Sequence, residues 1–216
     1  MLQDFFSTLS AAEQQRAQRF HFQRDRTRFI VAHGILRRLL SRYVGCGPAD
    51  LAFQDNAYGK PALHDAYGGT RVCFNMSHSY DLAVYAITRG RAVGIDVERL
   101  RDGVASQEIA ARFFSQQEIA TLRALPTAIQ QHAFFLCWTR KEAYIKARGQ
   151  GLSLPLSQFD VSLTPGEPAA LLRTREGPEE TARWSLFTLE PFIGAVAALA
   201  VEKDCHPVLW QWPATD

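Results

Sequence analysis

Three consecutive segments near the middle of the chain constrain its fold most, because each has the pattern of a β-strand and polar turns separate them. In the second segment, Val84, Ala86 and Thr88 alternate with Tyr85 and Ile87, which is the two-residue period of a strand. The three predicted strands are 72–78, 81–89 and 92–98. Any fold for this chain has to accommodate these strands in succession.

Helical patterns flank these strands on both sides. Ser10 and Glu13 have the spacing of a capping box, which predicts a helix start. From Arg24 to Tyr43, apolar residues recur every three or four positions, which predicts a second helix that ends at the Gly-Cys-Gly-Pro turn of residues 45–48. Beyond the strands, helices are predicted at 106–113, 115–125 and 128–148, the last of them ending at Gly149 or Gly151.

A second group of strands follows these helices, predicted at 158–164, 183–190 and 192–201 with loops between them. Short extended pieces are predicted within 51–63, and the chain is expected to close with an irregular segment that contains Pro207, Trp210, Trp212 and Pro213. Helices followed by strands thus occur twice, over stretches of roughly 100 residues. The sequence therefore predicts an α+β fold of two similar halves, 1–98 and 99–216.

The composition is that of a globular protein, but the charge is unevenly spread. The 216 residues are 47% hydrophobic and carry a formal net charge of +2. Residues 16–42 nevertheless contain eight arginines and a single acid, Asp25. This stretch indicates either a local anion site or a solvated helix face. It is less suited to binding duplex nucleic acid, which needs many phosphate contacts.

The cysteines and the apolar runs bear on the compartment. Cys46, Cys73, Cys137 and Cys205 are scattered, without a CxxC pair or the spacing of a metal site. The first residues lack the cationic and apolar regions of a signal peptide. No apolar run reaches the ~18 residues of a membrane span. We therefore expect a cytoplasmic protein that has no membrane partner.

Two carboxylates stand one residue apart in VGIDVERL, residues 93–100. In a strand, Asp96 and Glu98 share one face and the apolar residues beside them point to the other. Because neighbouring carboxylates repel each other and burial adds a desolvation cost, a cation is expected between them. Mg²⁺ suits such a place, since it takes oxygen ligands and bridges to phosphates. The alternative is an exposed strand end neutralised by Arg99 or Arg101.

A second motif, WTRKEAYIKARG, covers residues 138–149 and places Trp138, Glu142 and Lys146 on one helix face. An ordinary salt bridge between Glu142 and Lys146, worth about 0.3–0.5 kcal/mol, would explain that pair. If Glu142 instead faces Asp96 and Glu98, three carboxylates would hold one divalent ion. Lys146 would then contact an anion beside that ion.

Two further segments carry groups that bind phosphate. In FNMSHS, residues 74–79, Ser77 and His78 are predicted to follow a strand and enter a turn, where their side chains and the backbone amides can bind phosphate oxygens. A Ser/His nucleophile pair and an ordinary surface turn are the alternatives. In YGKP, residues 58–61, a turn presents Lys60 beside the rigid Pro61. Together the segments predict metal-assisted chemistry on a phosphate or pyrophosphate.

In this order along the chain, the segments resemble the Sfp-type 4′-phosphopantetheinyl transferases. The matching segments span about half of the chain and are YGKP (58–61), FNMSHS (74–79), VGIDVE (93–98), RFFSQQE (112–118) and WTRKEAYIKARGQGLSLPL (138–156). The tryptophan followed by KEA resembles the branch of the family that serves secondary metabolism. The resemblance implies two related α+β halves, with coenzyme A in the cleft between them.

This resemblance implies an enzyme that uses coenzyme A and Mg²⁺ to transfer 4′-phosphopantetheine to a serine of an apo acyl or peptidyl carrier protein. The other product would be adenosine 3′,5′-bisphosphate. Its partners would be coenzyme A and the carrier protein, and nucleic acid would not be one. A chain that completes its own cleft is expected to act as a monomer.

The resemblance also assigns roles to residues of this sequence. Asp96, Glu98 and Glu142 match the Mg²⁺ ligands of the family. Ser77, His78 and Lys146 match the contacts to the pyrophosphate, where His78 and Lys146 would stabilise the transition state. The remaining contacts to coenzyme A would come from Lys60 and Pro61, in the turn that borders the nucleotide, and from Arg28 at the 3′-phosphate, with Arg16 and Arg24 as possible substitutes.

The attacking serine would belong to the partner protein and would need a base near it. Glu142, Glu118 or a water on the metal ion could take that role, and Glu118 could instead be structural. Two other functions fit parts of the pattern. A metal-dependent phosphodiesterase or nuclease would also use the acids, and a non-catalytic nucleotide-binding module would keep the basic helix without turnover.

Overall fold

The computed structural model describes residues 1–101, 103–104, 106–190, 192–203 and 205–211. In the predicted closing segment, Trp212 and Pro213 lie outside the described residues. The described part of that segment, 205–211, contains neither helix nor strand.

The first half begins with three helices and ends with three strands. The predicted capping box is present, because the Glu13 amide donates to the Ser10 hydroxyl at 3.3 Å and the Ser10 amide donates to the Glu13 carboxylate at 2.9 Å. The long third helix ends where Gly45 takes a left-handed φ of 76°. The elements are α1 (Leu2–Ser7), α2 (Ala11–Gln18), α3 (Gln23–Val44), β1 (Phe53–Asp55), β2 (Pro61–Leu63), β3 (Val72–Ser79), β4 (Leu82–Arg89) and β5 (Val93–Arg99).

The second half also begins with three helices, and strands follow them, with a short helix between the second and third of these strands. A second capping box, formed by Ser115 and Glu118, starts its second helix, and its long third helix ends at Gly149 with a φ of 67°. That glycine is the first of the two predicted stops. The elements are α4 (Ser106–Phe113), α5 (Gln116–Ala124), α6 (Thr127–Arg148), β6 (Phe159–Val161), β7 (Leu171–Thr174), α7 (Pro178–Ala182), β8 (Trp184–Leu189) and β9 (Ala195–Glu202).

The structure departs from the predicted elements mainly in short segments. The pattern does not predict α1, β7 or α7, which have six, four and five residues. Long-range contacts hold α7, because Arg148 of α6 pairs with Glu180 at 2.9 Å. The segment predicted as a strand at 158–164 is shorter, since its pairing shifts register after Asp160. The last strand begins at Ala195 because Gly194, at φ 82°, forms a turn.

Strand pairing joins the two halves. β3 pairs antiparallel with β4, and a separate three-stranded antiparallel sheet has the order β5–β9–β8. Strand β5 lies in the predicted first half, 1–98, except for its last residue, Arg99. It nevertheless pairs with β9 of the second half, in a register that runs from Val93↔Val201 to Arg99↔Ala195. The boundary after residue 98 stays a prediction, and the sheet makes β5 common to both halves.

A buried ion pair closes the first half, and its acid is the capping-box glutamate of α2. Arg37 of α3 pairs with Glu13 at 2.6 Å. The same guanidinium donates to the carbonyls of Pro48 and Leu51 at 2.8 and 3.0 Å. The pair thus ties α2, α3 and the segment after α3 together.

The second half contains the same arrangement. Lys141 of α6 pairs with Glu118, the capping-box glutamate of α5, at 2.8 Å. The Lys141 ammonium also donates to the carbonyls of Leu156 and Phe159 at 2.7 and 2.6 Å. The two halves therefore repeat a contact as well as an order of elements, and the α+β class with two similar halves is confirmed.

Helix α6 packs on β5 and β9, with the main apolar core beneath it. A glycine makes this approach possible, because a Cβ atom at Gly94 would collide with the backbone of Ala143 and Ala147 in α6. Strand β5, with Asp96 and Glu98, and helix α6, with Glu142 and Lys146, are thus in close contact. Separately, no helix in the described residues combines the length and the apolarity needed to cross a bilayer.

Candidate active site

Strand β5 turns its acids toward α6. Gly94, Asp96 and Glu98 alternate with Ile95 and Val97, so the three share the face that Gly94 presses against the helix. The other face is apolar, and Ile95 is part of a buried cluster there. The prediction that the two carboxylates point to one side is therefore consistent with the strand that the structure contains.

Helix α6 brings a lysine to this face. The Lys146 ammonium lies 2.6 Å from Asp96 Oδ1 and 3.1 Å from the Ser77 hydroxyl. The alternative in which arginines neutralise the acids fits less well, since Arg99 pairs with Asp81 at 2.9 Å and leaves Asp96 to the lysine. Lys146 pairs with an acid of β5, 50 residues away, and not simply with the glutamate one turn before it.

Glu142 joins the same electrostatic cluster. Burial raises the pKa of Glu142 to about 7, and the negative charges of Asp96 and Glu98 raise it as well, while Lys146 lowers it. Glu142 is half-buried and lies within electrostatic range of Asp96, Glu98 and Lys146. That the three acids share one metal ion stays a prediction.

Burial also raises the pKa of Asp96 and of Glu98. Asp96 is 4% exposed, and its Oδ1 accepts from both Ser77 and Lys146. Among the residues that the structure describes, the other oxygen, Oδ2, is buried and has no hydrogen-bond partner. A buried carboxylate oxygen without a donor is costly. This oxygen could therefore accept from a donor or bind a cation.

Two serines of β3 hold the two acids in place. Ser77 donates to Asp96 Oδ1 at 2.8 Å and accepts from Lys146. Ser79 donates to Glu98 Oε2 at 3.0 Å and accepts from the Arg99 amide at 3.2 Å. In each case the group that donates to the serine oxygen, Lys146 or the Arg99 amide, leaves the serine hydroxyl to donate its own proton to the acid. The sequence analysis did not predict Ser79, although Ser79 lies two residues after Ser77 and residues two apart share one face of a strand.

The location of Ser77 and His78 corrects one sequence prediction. They do not enter a turn, because β3 continues through Ser79, which pairs with Leu82 of β4. The turn lies at Tyr80 and Asp81, where Tyr80 takes a left-handed φ of 57°. Ser77 and His78 are consecutive in a strand and so point to opposite faces.

His78 lies on the face of β3 that looks toward α3. Its neighbour on that face, Met76, pairs with Tyr85, whose hydroxyl donates to the Ala32 carbonyl of α3 at 2.9 Å. Burial lowers the pKa of His33 on α3, and the charge of His78 adds to this effect. The imidazole is exposed. The structure thus groups His78 with α3 and not with the acids on the α6 side.

The three candidate arginines differ in their surroundings. Arg28 lies over the ring of Tyr80, 5.9 Å from its centroid, at the turn that follows β3. Arg16 lies over Phe29 within the first half, and Arg24 lies over Phe22. Of the three, Arg28 is the one with a described contact to the β3–β4 turn beside the acids.

The YGKP turn meets the end of α6. The Lys60 ammonium donates to the Val93 carbonyl at 2.9 Å and to the Ala147 carbonyl at 3.3 Å. Pro61 starts β2, where it pairs with Asp55 and is exposed. The lysine that the resemblance assigns to the nucleotide therefore has its charged group between backbone carbonyls of β5 and α6.

Glu118 has a structural environment. Its carboxylate accepts from the Ser115 amide at 2.9 Å and from the Val161 amide at 2.8 Å, besides the ion pair with Lys141. The side chain is 2% exposed. Of the two roles left open for Glu118, these contacts favour structural support over proton transfer.

Asp96, Glu98 and Glu142 are the acids that could hold a metal ion in this site. Within the ranges that the structure describes, no group of three or more His, Cys, Asp and Glu side chains is close enough to hold a metal ion as it stands. Two features nevertheless fit Mg²⁺. The oxygen Asp96 Oδ2 lacks a partner, and the neighbouring acids are carboxylates, which are the ligands that Mg²⁺ prefers. The ammonium of Lys146 neutralises Asp96 in this arrangement.

Comparison with known proteins agrees with this geometry. A sequence model of the family described as "4′-phosphopantetheinyl transferase superfamily" matches residues 92–200, and one described as "4′-phosphopantetheinyl transferase, N-terminal" matches residues 1–89. Strand β5 falls in the region 92–200, together with β9, with which it pairs.

Individual relatives extend the match over most of the chain. The chain is 42% identical to the 4′-phosphopantetheinyl transferase HetI of Nostoc sp. (strain PCC 7120) over 212 residues, which are 98% of this chain and 86% of that protein. It is 35% identical to the 4′-phosphopantetheinyl transferase Sfp of Bacillus subtilis (strain 168) over 159 residues, 74% of this chain and 68% of that protein. The chain therefore belongs to the Sfp-type 4′-phosphopantetheinyl transferases.

Proposed function

We propose that the protein transfers 4′-phosphopantetheine from coenzyme A to a serine of an acyl or peptidyl carrier protein, with Mg²⁺, and releases adenosine 3′,5′-bisphosphate. The observation that carries the proposal is the contact of Lys146 with Asp96, beside an Asp96 oxygen that has no partner. Membership of the transferase family supports the reaction, and this contact supports a site at Asp96 and Lys146.

Asp96, Glu98 and Glu142 are the residues that would hold Mg²⁺. Their pKa values are raised by burial, and mutual repulsion contributes for Glu98 and Glu142. A bound cation would relieve that repulsion, which supports the assignment. When bound, Mg²⁺ would neutralise charge on the pyrophosphate oxygens.

Lys146 is the cation that this chain itself supplies at the reacting centre. Its side chain is 28% exposed, and its ammonium is oriented by Asp96 and Ser77, so it can reach a ligand without losing its position. We propose that it donates to the phosphate oxygens on which negative charge grows as the bond between phosphorus and the bridging oxygen breaks. Ser77 orients both Lys146 and Asp96.

Glu142 is our candidate for the general base. In the metal-free protein the pKa of Glu142 is about 7, so its carboxylate is partly ionised at neutral pH. Binding of Mg²⁺ would lower that pKa, and a water on the metal ion is then the alternative base. Glu142 would take the hydroxyl proton of the carrier serine while that oxygen forms its bond to phosphorus. Glu118 does not serve, because its carboxylate is buried and bonded on several sides.

The α3 side of the site would bind the remainder of coenzyme A. We propose His78 for the pyrophosphate, Arg28 for the 3′-phosphate and Pro61 for the border of the nucleotide. The exposure of His78 and the place of Arg28 over Tyr80 support these roles. The cleft between the halves would hold the coenzyme, with the arginines of 16–42 attracting its negative charge.

The remaining parts of the proposal concern the setting of the reaction. We propose that the protein acts as a monomer in the cytoplasm, on coenzyme A and a carrier protein and without a nucleic-acid or membrane partner. Cys46, Cys73 and Cys137 are thiols outside any disulfide, which supports a reducing compartment. One chain contributes both faces of the site, which supports the monomer.

The test is incubation with coenzyme A, Mg²⁺ and a panel of apo carrier proteins, followed by mass spectrometry of the carriers. A gain of one phosphopantetheine arm on the carrier, with release of adenosine 3′,5′-bisphosphate, is the expected result. Cleavage of DNA without transfer would support a nuclease, and binding of coenzyme A without turnover on any carrier would support a binding module. Either outcome would overturn the transferase proposal.

A further inference from the structure

The turn between β1 and β2 is rigid and reaches across to the second half. Within it, Asn56 Oδ1 accepts from the amides of Tyr58 and Lys60, both at 2.9 Å. The backbone amide of Asn56 also donates to the Lys60 carbonyl at 2.9 Å, and Gly59 takes a left-handed φ of 81°. The side chain of Asn56 thus fixes the direction in which Lys60 leaves the turn.

Two groups of this turn cap the C-terminal end of α6. Asn56 Nδ2 donates to the Gly149 carbonyl at 2.7 Å, and Lys60 Nζ donates to the Ala147 carbonyl at 3.3 Å. The last carbonyls of a helix have no partners within the helix and carry the negative end of its dipole. A cation and an amide donor from the other half of the chain therefore stabilise this helix end.

The same ammonium also holds β5. Lys60 Nζ donates to the Val93 carbonyl at 2.9 Å. It therefore joins a residue next to Lys146 in α6 to a residue three before Asp96 in β5. This junction lies where Gly94 lets the strand approach the helix most closely. The relative position of Lys146 and Asp96 is set beside this contact.

The surroundings of Lys60 suit a positioning role. Its described hydrogen-bond acceptors are backbone carbonyls, and burial lowers its pKa. An ammonium bonded to two carbonyls has one hydrogen left to donate. Lys146 also has a backbone acceptor, the Ile95 carbonyl at 3.4 Å, but its shorter contacts are to side chains of the site, Asp96 and Ser77.

We propose that Lys60 and Asn56 are positioning residues that lock the end of α6 to β5 and so hold Lys146 and Asp96 at reacting distance. The inference rests on the proposed transferase function. It assigns to the Lys60 side chain a role in alignment, in place of contact with the nucleotide.

The experiment compares Lys60→Met and Asn56→Asp with the unchanged protein and with Lys203→Met, which removes an exposed lysine of the second half. Lys60→Met keeps the apolar stem and removes the donor. Asn56→Asp keeps the shape and the Oδ1 acceptor, but it sets a second oxygen against the Gly149 carbonyl. The measurements are kcat and KM for coenzyme A, its Kd by calorimetry, and the melting temperature.

Both variants are expected to lower kcat by about ten- to 100-fold, the effect of a small misalignment of reacting groups. The Kd for coenzyme A should stay within about twofold of the unchanged protein, because no contact with the coenzyme is lost. The double variant should lose less than the product of the two effects, since both act on one helix end. Lys203→Met should resemble the unchanged protein. Assays run well below each melting temperature separate misalignment from unfolding.

Some results would overturn the inference and leave the proposed function standing. One is a Lys60→Met variant with an unchanged kcat and much weaker binding of coenzyme A, which would make Lys60 a substrate contact. Another is an Asn56→Asp variant with normal kcat. If the unchanged protein itself transfers nothing to any carrier, the proposed function fails, and the inference falls with it.

Discussion

Helix α6 carries two lysines five residues apart whose surroundings differ completely. Lys141 is fully buried, and its ammonium contacts the Glu118 carboxylate and two backbone carbonyls at 2.6–2.8 Å. Lys146 is partly exposed, and it pairs with Asp96, whose second oxygen has no partner. The ammonium of Lys141 is thus fully paired, whereas the Asp96 carboxylate beside Lys146 has one oxygen that no described residue contacts through a hydrogen bond.

The difference separates a structural ion pair from a reactive one. An ammonium has three hydrogens to donate, and each lysine contacts three oxygens. The oxygens around Lys141 all belong to its own half of the chain, whereas those around Lys146, on Asp96, Ser77 and Ile95, belong to the first half. Around Lys146 and Asp96, burial has raised the pKa of three carboxyls. An unsatisfied buried site of this kind costs stability and persists where a ligand is to be bound.

Of the variants considered, Asp96→Asn should lower the rate of transfer most, because it changes the acid that pairs with Lys146. We expect transfer to fall on the order of 10⁴-fold, about 5 kcal/mol, because the variant loses the charge that would hold the metal ion. The fold should persist, since Asn keeps an acceptor for Ser77 and Lys146 and removes a buried charge. Rates of carrier modification and melting temperatures check both parts.

The matched control is Asp160→Asn. Asp160 is also buried, is paired with Arg173 at 2.9 Å and has one oxygen without a partner, but it lies on β6. This variant should transfer at the normal rate. Equal loss in the two variants would contradict a special role for Asp96.

Lys141→Met should lower the stability of the fold, because it removes the buried ion pair with Glu118. Glu118 would then be a buried charge without its counterion, which typically costs about 3–5 kcal/mol of unfolding free energy. The folded fraction should keep its specific activity, because Lys141 has no contact with the site. Urea unfolding, together with activity normalised to folded protein, measures both.

The double variant Lys141→Met with Glu118→Gln tests the cause. Removing the second charge should recover a large part of the lost stability, since a neutral pair has no uncompensated ion. A double variant as unstable as Lys141→Met alone would mean that packing, and not charge, explains the loss.

The pH dependence of stability should separate the two sides further. In the metal-free protein, Glu142 keeps its proton up to about pH 7 when folded, but it ionises near 4.5 when unfolded. Unfolding therefore releases a proton in this window, and Glu142 makes the protein less stable as the pH rises from about 4.5 to 7.

Glu142→Gln removes this loss. The variant should gain stability relative to the unchanged protein across the same window, by up to about 3 kcal/mol, and the gain should level off above it. Urea unfolding in EDTA at a series of pH values is the measurement. A stability difference that does not vary with pH would show that the carboxyl is not strained by its surroundings.

The smallest effect is expected from Ser79→Ala. This change removes the hydrogen bond to Glu98 and leaves the Arg99 amide without its acceptor. Because one hydrogen bond is worth about 1 kcal/mol, transfer should fall roughly fivefold, with a higher Mg²⁺ requirement. Ser79→Thr keeps the hydroxyl and should recover most of the rate. An unchanged Mg²⁺ requirement in Ser79→Ala would argue against orientation of Glu98 by this serine.

Local spacing was enough to predict much of this molecule. The capping box at Ser10, the 22-residue helix α3 and the period of two in β4 all depend on residues close in sequence. The acids Asp96 and Glu98 were identifiable because a strand places residues two apart on one face. Glu142 and Lys146 followed from the four-residue spacing of a helix.

Long-range pairing was beyond that reasoning. Nothing local indicates that Lys60 bonds to a carbonyl 87 residues away, or that β5 pairs with a strand 100 residues later. The turn predicted at Ser77 and His78 is wrong for a related reason, since pairing with β4 continues β3 through Ser79. The helix α7, five residues long, depends on Arg148 of α6 and has little propensity signal of its own.

The pairing of β5 with β9 has a consequence for dividing the protein. Expressing residues 1–98 and 99–216 as separate fragments would strip β9 of a strand and expose an unpaired edge on each piece, which promotes aggregation. A single proteolytic nick after Arg99 would leave the same ladder intact, so the two pieces should stay associated and elute together. A fragment intended to stand alone would have to begin before Val93 and carry the strand with it.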